Sequence, residues 1–340
     1  MKLDVATLTR ILVGVLPVII FLTGLTFIDS YKLIRFRSIL LNIFVGIIIA
    51  FVCSIINGAL IGLLGFDRAT FAKHVAPFVE EILKACFIVY LIYSKRIGFM
   101  VDAAICGFAV GTGFAIIENL QLLGSMQDSN MIVWIVRGFG TAVMHGGSTA
   151  IFAIVSKSFF DRHSPPRPWF FLPGLAMAVI IHSTYNHFFV SPEVSAIAIV
   201  AGLPVVMIVV FQQSERALQR WLGAGFDTDA ELLEMIATGN VSRTRIGEYL
   251  LSLKSRFPGE VVADMLCLLR IHLELSIRAK GLLLMREAGF EIPKDPEVTE
   301  KFEELKYLEK SVGKTGRLAI MPFLRWSSRD LWQLHMLGKK

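Results

Sequence analysis

Seven apolar stretches fill the first 211 residues, near positions 11–28, 39–65, 75–93, 101–123, 131–159, 168–190 and 194–211. Each is long enough to cross roughly 30 Å of hydrocarbon as a helix, and the second and fifth are long enough that they must tilt or protrude. After Phe211 the pattern changes. Residues 212–340 hold 20 of the 34 basic and 18 of the 28 acidic residues. Their apolar positions recur with a helical period, as in 231–236 and 261–284. Asp227, Thr228 and Asp229 read as a cap before the first of these helices. Pro258-Gly259 and the segment 292–296 read as breaks between helices. The tail 321–337 places Phe323, Trp326, Leu331 and Trp332 beside Arg325 and Arg329, which suits a membrane interface or the face of the helical domain. The expected fold is all-α. A polytopic membrane helix bundle of seven transmembrane helices covers residues 1–211, and a small helical cytoplasmic domain covers 212–340.

Composition agrees with a membrane setting. The chain has 340 residues, 54% of them hydrophobic, and a mean hydropathy of +0.63, too apolar for a soluble domain of ordinary composition. The first apolar run lacks a small-residue cleavage site and reads as an anchor. Cys53, Cys86, Cys106 and Cys267 form no CxxC pair, which argues against a disulfide framework or a thiolate zinc site. The net charge of +6 is spread along the chain without an aromatic-basic patch, so no nucleic-acid partner is expected. Lys32, Arg35, Arg37, Lys95, Arg96, Lys157, Arg162 and Arg167 lie in one set of alternate loops, against Arg68 and Lys73 in the other. Eight against two places the N-terminus outside and the C-terminus in the cytoplasm.

Against this background the buried charges stand out. Glu80, Glu81 and Lys84 sit inside the third apolar run, where an ionised group costs roughly 2.5–3.5 kcal/mol. A rise of about 1.5 Å and about 100° per residue puts Lys84 above Glu80 and within range of Glu81. Pairing it with Glu80 leaves Glu81 as the favoured base. The fourth run supplies Glu118 and Asn119 behind a glycine-rich stretch, and the fifth supplies Arg137 and His145. The sixth supplies His182 and Asn186 on one helical face. Arg137 is a natural partner for Glu118. By helical rise, all these groups can meet in the outer half of a bilayer. Carboxylates and histidines in a pocket that admits water suit peptide hydrolysis. A glutamate can take a proton from water, and N–H donors can stabilise the oxyanion.

In order along the chain, Glu80-Glu81-x-x-Lys84, Phe114-x-x-x-Glu118, His145 and His182-x-x-x-Asn186 resemble the motifs of the PrsW-type intramembrane proteases. These belong to the type II CAAX protease and bacteriocin-immunity superfamily. The resemblance covers roughly residues 70–190. It implies a glutamate-dependent protease of a bacterial cytoplasmic membrane that cuts a single-span protein, such as an anti-sigma factor, on the extracytoplasmic side. Carried over, Glu80 and Glu81 would activate water, His182 and Asn186 would bind the oxyanion, and Glu118 and His145 would complete the site. Lys84, Asn119 and Arg137 would support it. The wider superfamily usually has a histidine where Glu118 stands, which argues against prenyl-CAAX processing.

Two alternatives use the same residues. A proton- or ion-coupled transporter also needs buried acids and histidines, although no inverted repeat is evident. A zinc ion bound by Glu81, Glu118, His145 and His182 is chemically reasonable. The metal-free form, with no cofactor, is the favoured expectation, with a membrane-protein substrate and the lipid bilayer as partners. No H-E-x-x-H helix is present. Ser148 with His182 could mimic a serine–histidine pair, but the residue after the serine is Thr149, not glycine.

Overall fold

In a computed structural model of the chain, residues 5–29, 34–123, 129–162, 167–288, 290, 296–321, 323 and 337 are described. Most of the 321–337 tail lies outside them. The described residues form twelve α-helices and no strand. In chain order these are α1 (Val5–Ile28), α2 (Phe36–Leu64), α3 (Arg68–His74), α4 (Ala76–Tyr93), α5 (Met100–Leu123), α6 (Met131–Ile135), α7 (Val143–Arg162), α8 (Leu172–His187), α9 (Pro192–Ala237), α10 (Arg245–Leu253), α11 (Gly259–Glu287) and α12 (Pro296–Ile320). A π-helical segment, Val136–Ala142, joins α6 to α7, and a 3-10 turn, Pro168–Phe171, leads into α8.

The chain is an integral membrane protein with five candidate spans: α1, α2, α5, the continuous run Met131–Arg162, and Pro192–Arg220 within α9. This is two fewer than the seven expected. α4 has 18 residues and carries Glu80, Glu81 and Lys84. α8 has 16 residues, short of the roughly 20 a spanning helix needs. In α4 the same charged residues that make it chemically interesting remove it from the set of plain spans, whereas α8 is excluded by its length.

Two compact units make up the chain, Met1–Ser214 and Glu215–Lys340. In the first, α5 is the centre, packed by α1, α2 and α7. The α5 and Met131–Arg162 windows are 83% buried, against 22–33% for α1, α2 and α9. The peripheral helices therefore turn Leu12, Leu16, Ile20, Phe44, Phe51 and Ile55 outward, as lipid-facing helices do. Close approach around α5 depends on glycine. A Cβ at Gly113 would overlap the Ile43 carbonyl of α2, and one at Gly111 would overlap the His145 carbonyl of α7. Small residues at such crossings let helix backbones touch where no hydrophobic force drives them together.

The second unit has its own core, built from Leu250 and Leu253 of α10, Met265, Leu268, Leu269 and Leu275 of α11, and Leu305, Leu308 and Val312 of α12. The expected break at Pro258-Gly259 lies between α10 and α11. The expected cap at Asp227–Asp229 is absent, because α9 continues through it to Ala237. Asp229 is buried instead, accepting from Ser276 Oγ at 2.6 Å and Lys280 Nζ at 2.5 Å. A capping-type residue here satisfies a tertiary contact in place of the backbone.

Candidate active site

Glu80 and Glu81 are neighbours on α4, so their side chains leave the helix about 100° apart. Glu81 points into the bundle and its side chain is 1% exposed, whereas that of Glu80 is 13% exposed. Lys84 is fully buried and its Nζ lies 2.5 Å from Glu81 Oε1. The i,i+3 pair forms in place of the expected i,i+4 pair with Glu80, because the inward face holds both Glu81 and Lys84. This reverses the expected assignment, since Glu81 is the neutralised carboxylate. Glu81 Oε1 also receives Ser148 Oγ at 3.3 Å and lies 2.9 Å from His182 Nδ1.

On α5, Glu118 accepts from Arg137 Nη2 at 3.0 Å and lies 2.6 Å from His145 Nε2. Arg137 Nε donates to Asn119 Oδ1 at 2.9 Å, and Asn119 Nδ2 donates to the Gly14 carbonyl of α1 at 2.7 Å. Arg137 lies in the π segment. A π turn inserts a residue and shifts the register of what precedes it, so Arg137 and His145 both face Glu118 although eight residues separate them.

Hydrogen-bond partners fix both imidazole tautomers. Lys84 Nζ lies 3.3 Å from His145 Nδ1 and can only donate, so the proton of neutral His145 is on Nε2, facing Glu118. His182 Nδ1 faces the Glu81 carboxylate, which only accepts, so its proton is on Nδ1. His182 Nε2 then turns toward Glu80 Oε2, 3.8 Å away. The two imidazole rings stand edge to face with centroids 4.6 Å apart.

Glu80, Glu81, Glu118, His145 and His182 thus come together, with Lys84, Asn119 and Arg137 around them. Asn186 does not join them. Its Nδ2 donates to the Ala72 carbonyl at 3.0 Å, and Ser183 Oγ one turn earlier donates to the Lys73 carbonyl at 3.0 Å. These two side chains of α8 satisfy the C-terminal carbonyls of α3. Sequence reasoning missed Asn57 of α2, whose Nδ2 donates to Glu80 Oε1 at 3.2 Å. A lone asparagine in the run Ser54-Ile55-Ile56-Asn57 was the available signal.

Three carboxylates against one lysine and one arginine leave the cluster one negative charge in formal terms. Glu118 has Arg137 and Glu81 has Lys84, while no lysine or arginine pairs with Glu80 among the described residues. The unbalanced charge therefore sits on Glu80, where a proton or a cation would neutralise it. Donor atoms of Glu80, His145 and His182 all lie within 4.8 Å of one another. One carboxylate and two imidazoles form a donor set used by catalytic zinc, at about 2.0–2.2 Å per ligand. An ion at that distance from both spans the 3.8 Å between Glu80 and His182. The Glu81–His182 contact supplies the outer carboxylate that orients a metal-bound imidazole. The set fits a divalent ion, provided His145 exchanges its contact with Glu118 for the metal. Glu81 drops out of the metal set expected from sequence because Lys84 occupies it. Glu118 drops out too, and Glu80 enters.

An all-helical membrane protein with carboxylates and imidazoles gathered inside its bundle has the outline of an intramembrane hydrolase. A family model described as PrsW family intramembrane metalloprotease matches residues 34–212. The chain belongs to that family of intramembrane proteases. No curated protein and no solved structure matches it.

Proposed function

We propose that the protein is an endopeptidase that hydrolyses a peptide bond of a single-span membrane protein at the Glu80–His182 pair. The observation that carries this reading is the position of Glu80. It is the carboxylate of the cluster that no lysine or arginine pairs with among the described residues, and its Oε2 lies 3.8 Å from His182 Nε2. Family membership sets this reading above the transporter. In the balanced reaction the water oxygen bonds to the scissile carbonyl carbon, its proton passes to a site base, and the C–N bond breaks as the amine leaves with a proton. Glu81 and Lys84 act indirectly by holding His182 and His145 in the tautomers described.

The residues support two forms of this chemistry. In the first, Glu80, His145 and His182 would hold a divalent ion, which would supply an acidic water and a Lewis acid for the carbonyl. In the second, no metal binds and Glu80 is itself the base. The family model is described as a metalloprotease and Glu80, His145 and His182 form a candidate ligand group, so the preference for the metal-free form expected from the sequence has no support beyond it. An N-terminus outside, a cytoplasmic C-terminus and cleavage in the outer half of a bacterial cytoplasmic membrane follow from the eight-against-two loop count if α4 and α8 cross the bilayer together with the five candidate spans. An anti-sigma factor is the kind of single-span substrate that the family resemblance suggests.

New N-termini compared between membranes holding wild type and His182→Ala test the activity. At least one single-span protein should be cut only by wild type, and identical profiles would refute the reading. Metal content of the purified full chain, with chelation and re-addition of zinc, separates the two forms.

A further inference from the structure

Asn57 lies on α2, outside every motif above, yet it touches the cluster. Its Nδ2 donates to Glu80 Oε1 at 3.2 Å. An ionised carboxylate only accepts, so this contact fixes the orientation of the amide and turns Oδ1 away from Glu80. That oxygen is buried and has no hydrogen-bond partner among the described residues. An unpaired buried acceptor costs about 1–3 kcal/mol and in a native protein calls for a specific explanation. The next residue, Gly58, has nothing within 4 Å of where a Cβ would stand, so α2 is open to an approaching chain beside Asn57.

A membrane-spanning substrate brings the missing donor. Its scissile bond must leave the helical hydrogen-bond pattern before water can attack, and each N–H freed inside hydrocarbon needs an acceptor. We propose that Asn57 is a substrate-positioning residue, its Nδ2 holding Glu80 and its Oδ1 accepting a main-chain N–H of the substrate next to the scissile bond. This rests on the hydrolase reading above.

The test uses the full chain in liposomes and a panel of internally quenched single-span peptides, each also prepared with single N-methylated amides. For a peptide that wild type cuts, N-methylation at one position should raise KM about tenfold, the loss of one hydrogen bond. Asn57→Leu should show the raised KM with the unmethylated peptide and no further response to that methyl group. Asn57→Asp keeps the acceptor and loses the donor, so KM and its N-methyl sensitivity should stay while kcat falls. Equal N-methyl penalties in wild type and Asn57→Leu would overturn the inference while leaving the hydrolase intact. So would a drop in thermal stability with KM unchanged. If folded wild type cuts no peptide of the panel, the hydrolase reading falls and takes this inference with it.

Discussion

Lys84→Met removes the cation that makes the inner half of the site tolerable. Lys84 is fully buried, 2.5 Å from Glu81 Oε1, 3.3 Å from His145 Nδ1 and 4.5 Å from the centre of the Phe114 ring. Methionine fills similar volume, so the cavity contribution is small and the electrostatic one dominates. Breaking a buried ion pair from one side typically costs about 3–5 kcal/mol, because the remaining charge stays desolvated. Removing both charges with Glu81→Gln/Lys84→Met should recover most of that loss, since the penalty belongs to the unpaired carboxylate. Thermal unfolding of the purified full chain in detergent gives the comparison. The single variant should unfold well below wild type and the double variant close to it. A single variant as stable as wild type, or a double variant less stable than the single, would refute the charge assignment inside the cluster. Activity adds a second check. The double variant should remain inactive despite refolding, because a glutamine amide can donate as well as accept and no longer holds the His182 proton on Nδ1, and His145 Nδ1 loses its donor.

Three further outcomes are expected. Asn186→Ala should reduce cleavage less than about tenfold, the scale of one hydrogen bond, against at least about a thousandfold for His182→Ala; equal losses would mean that Asn186 works on the substrate and not on α3. Gly113→Ala should abolish folded yield, because its Cβ would meet the backbone of Ile43 and Ile47, whereas Gly62→Ala, in open space, should be tolerated. In the second unit, burial pushes the His272 imidazole down to about 4, with Asp229 opposing and Lys280 adding to the shift. The unfolded chain therefore binds a proton that the folded one refuses, so stability is full above about pH 6.5 and falls as pH drops toward about 4. Between pH 7 and pH 5 the loss should be about 2 kcal/mol, read as lower amide protection across α11 relative to the intrinsic exchange rate at each pH, and His272→Leu should flatten it.

Much of the architecture was legible because apolar length is a strong signal. Every predicted apolar run is mostly helical, though the fifth crosses a π segment and the sixth begins in a 3-10 turn and runs past α8, and the boundaries of α2, α4 and α5 fall within a few residues of those expected. The number of spans was not legible, because α4 and α8 are short and α4 carries three charges. The convergence of Glu80, Glu81, Glu118, His145 and His182 followed from their depth along separate helices. Their wiring did not. Lysine four residues after Glu80 and three after Glu81 can pair with either, and only packing of the inward face decides. The π turn that aims Arg137 has no clear sequence mark. Asp229 shows the opposite failure, a capping residue recruited by Lys280 and Ser276 from another helix. Asn186 shares a helical face with His182, yet the C-terminal carbonyls of α3 claim it, and no periodicity argument could show that.

Cleavage by the purified full chain in liposomes, compared between wild type and Glu80→Gln on a panel of single-span proteins, tests the central claim most directly. Glutamine keeps the size of Glu80 and can still meet Asn57, so folding and thermal stability should hold. Wild type should cut at least one member of the panel, and the variant should cut it at least about a thousandfold more slowly, the scale on which loss of a general base is felt. Equal cleavage by a folded Glu80→Gln protein would contradict the assignment of the chemistry to the Glu80–His182 pair.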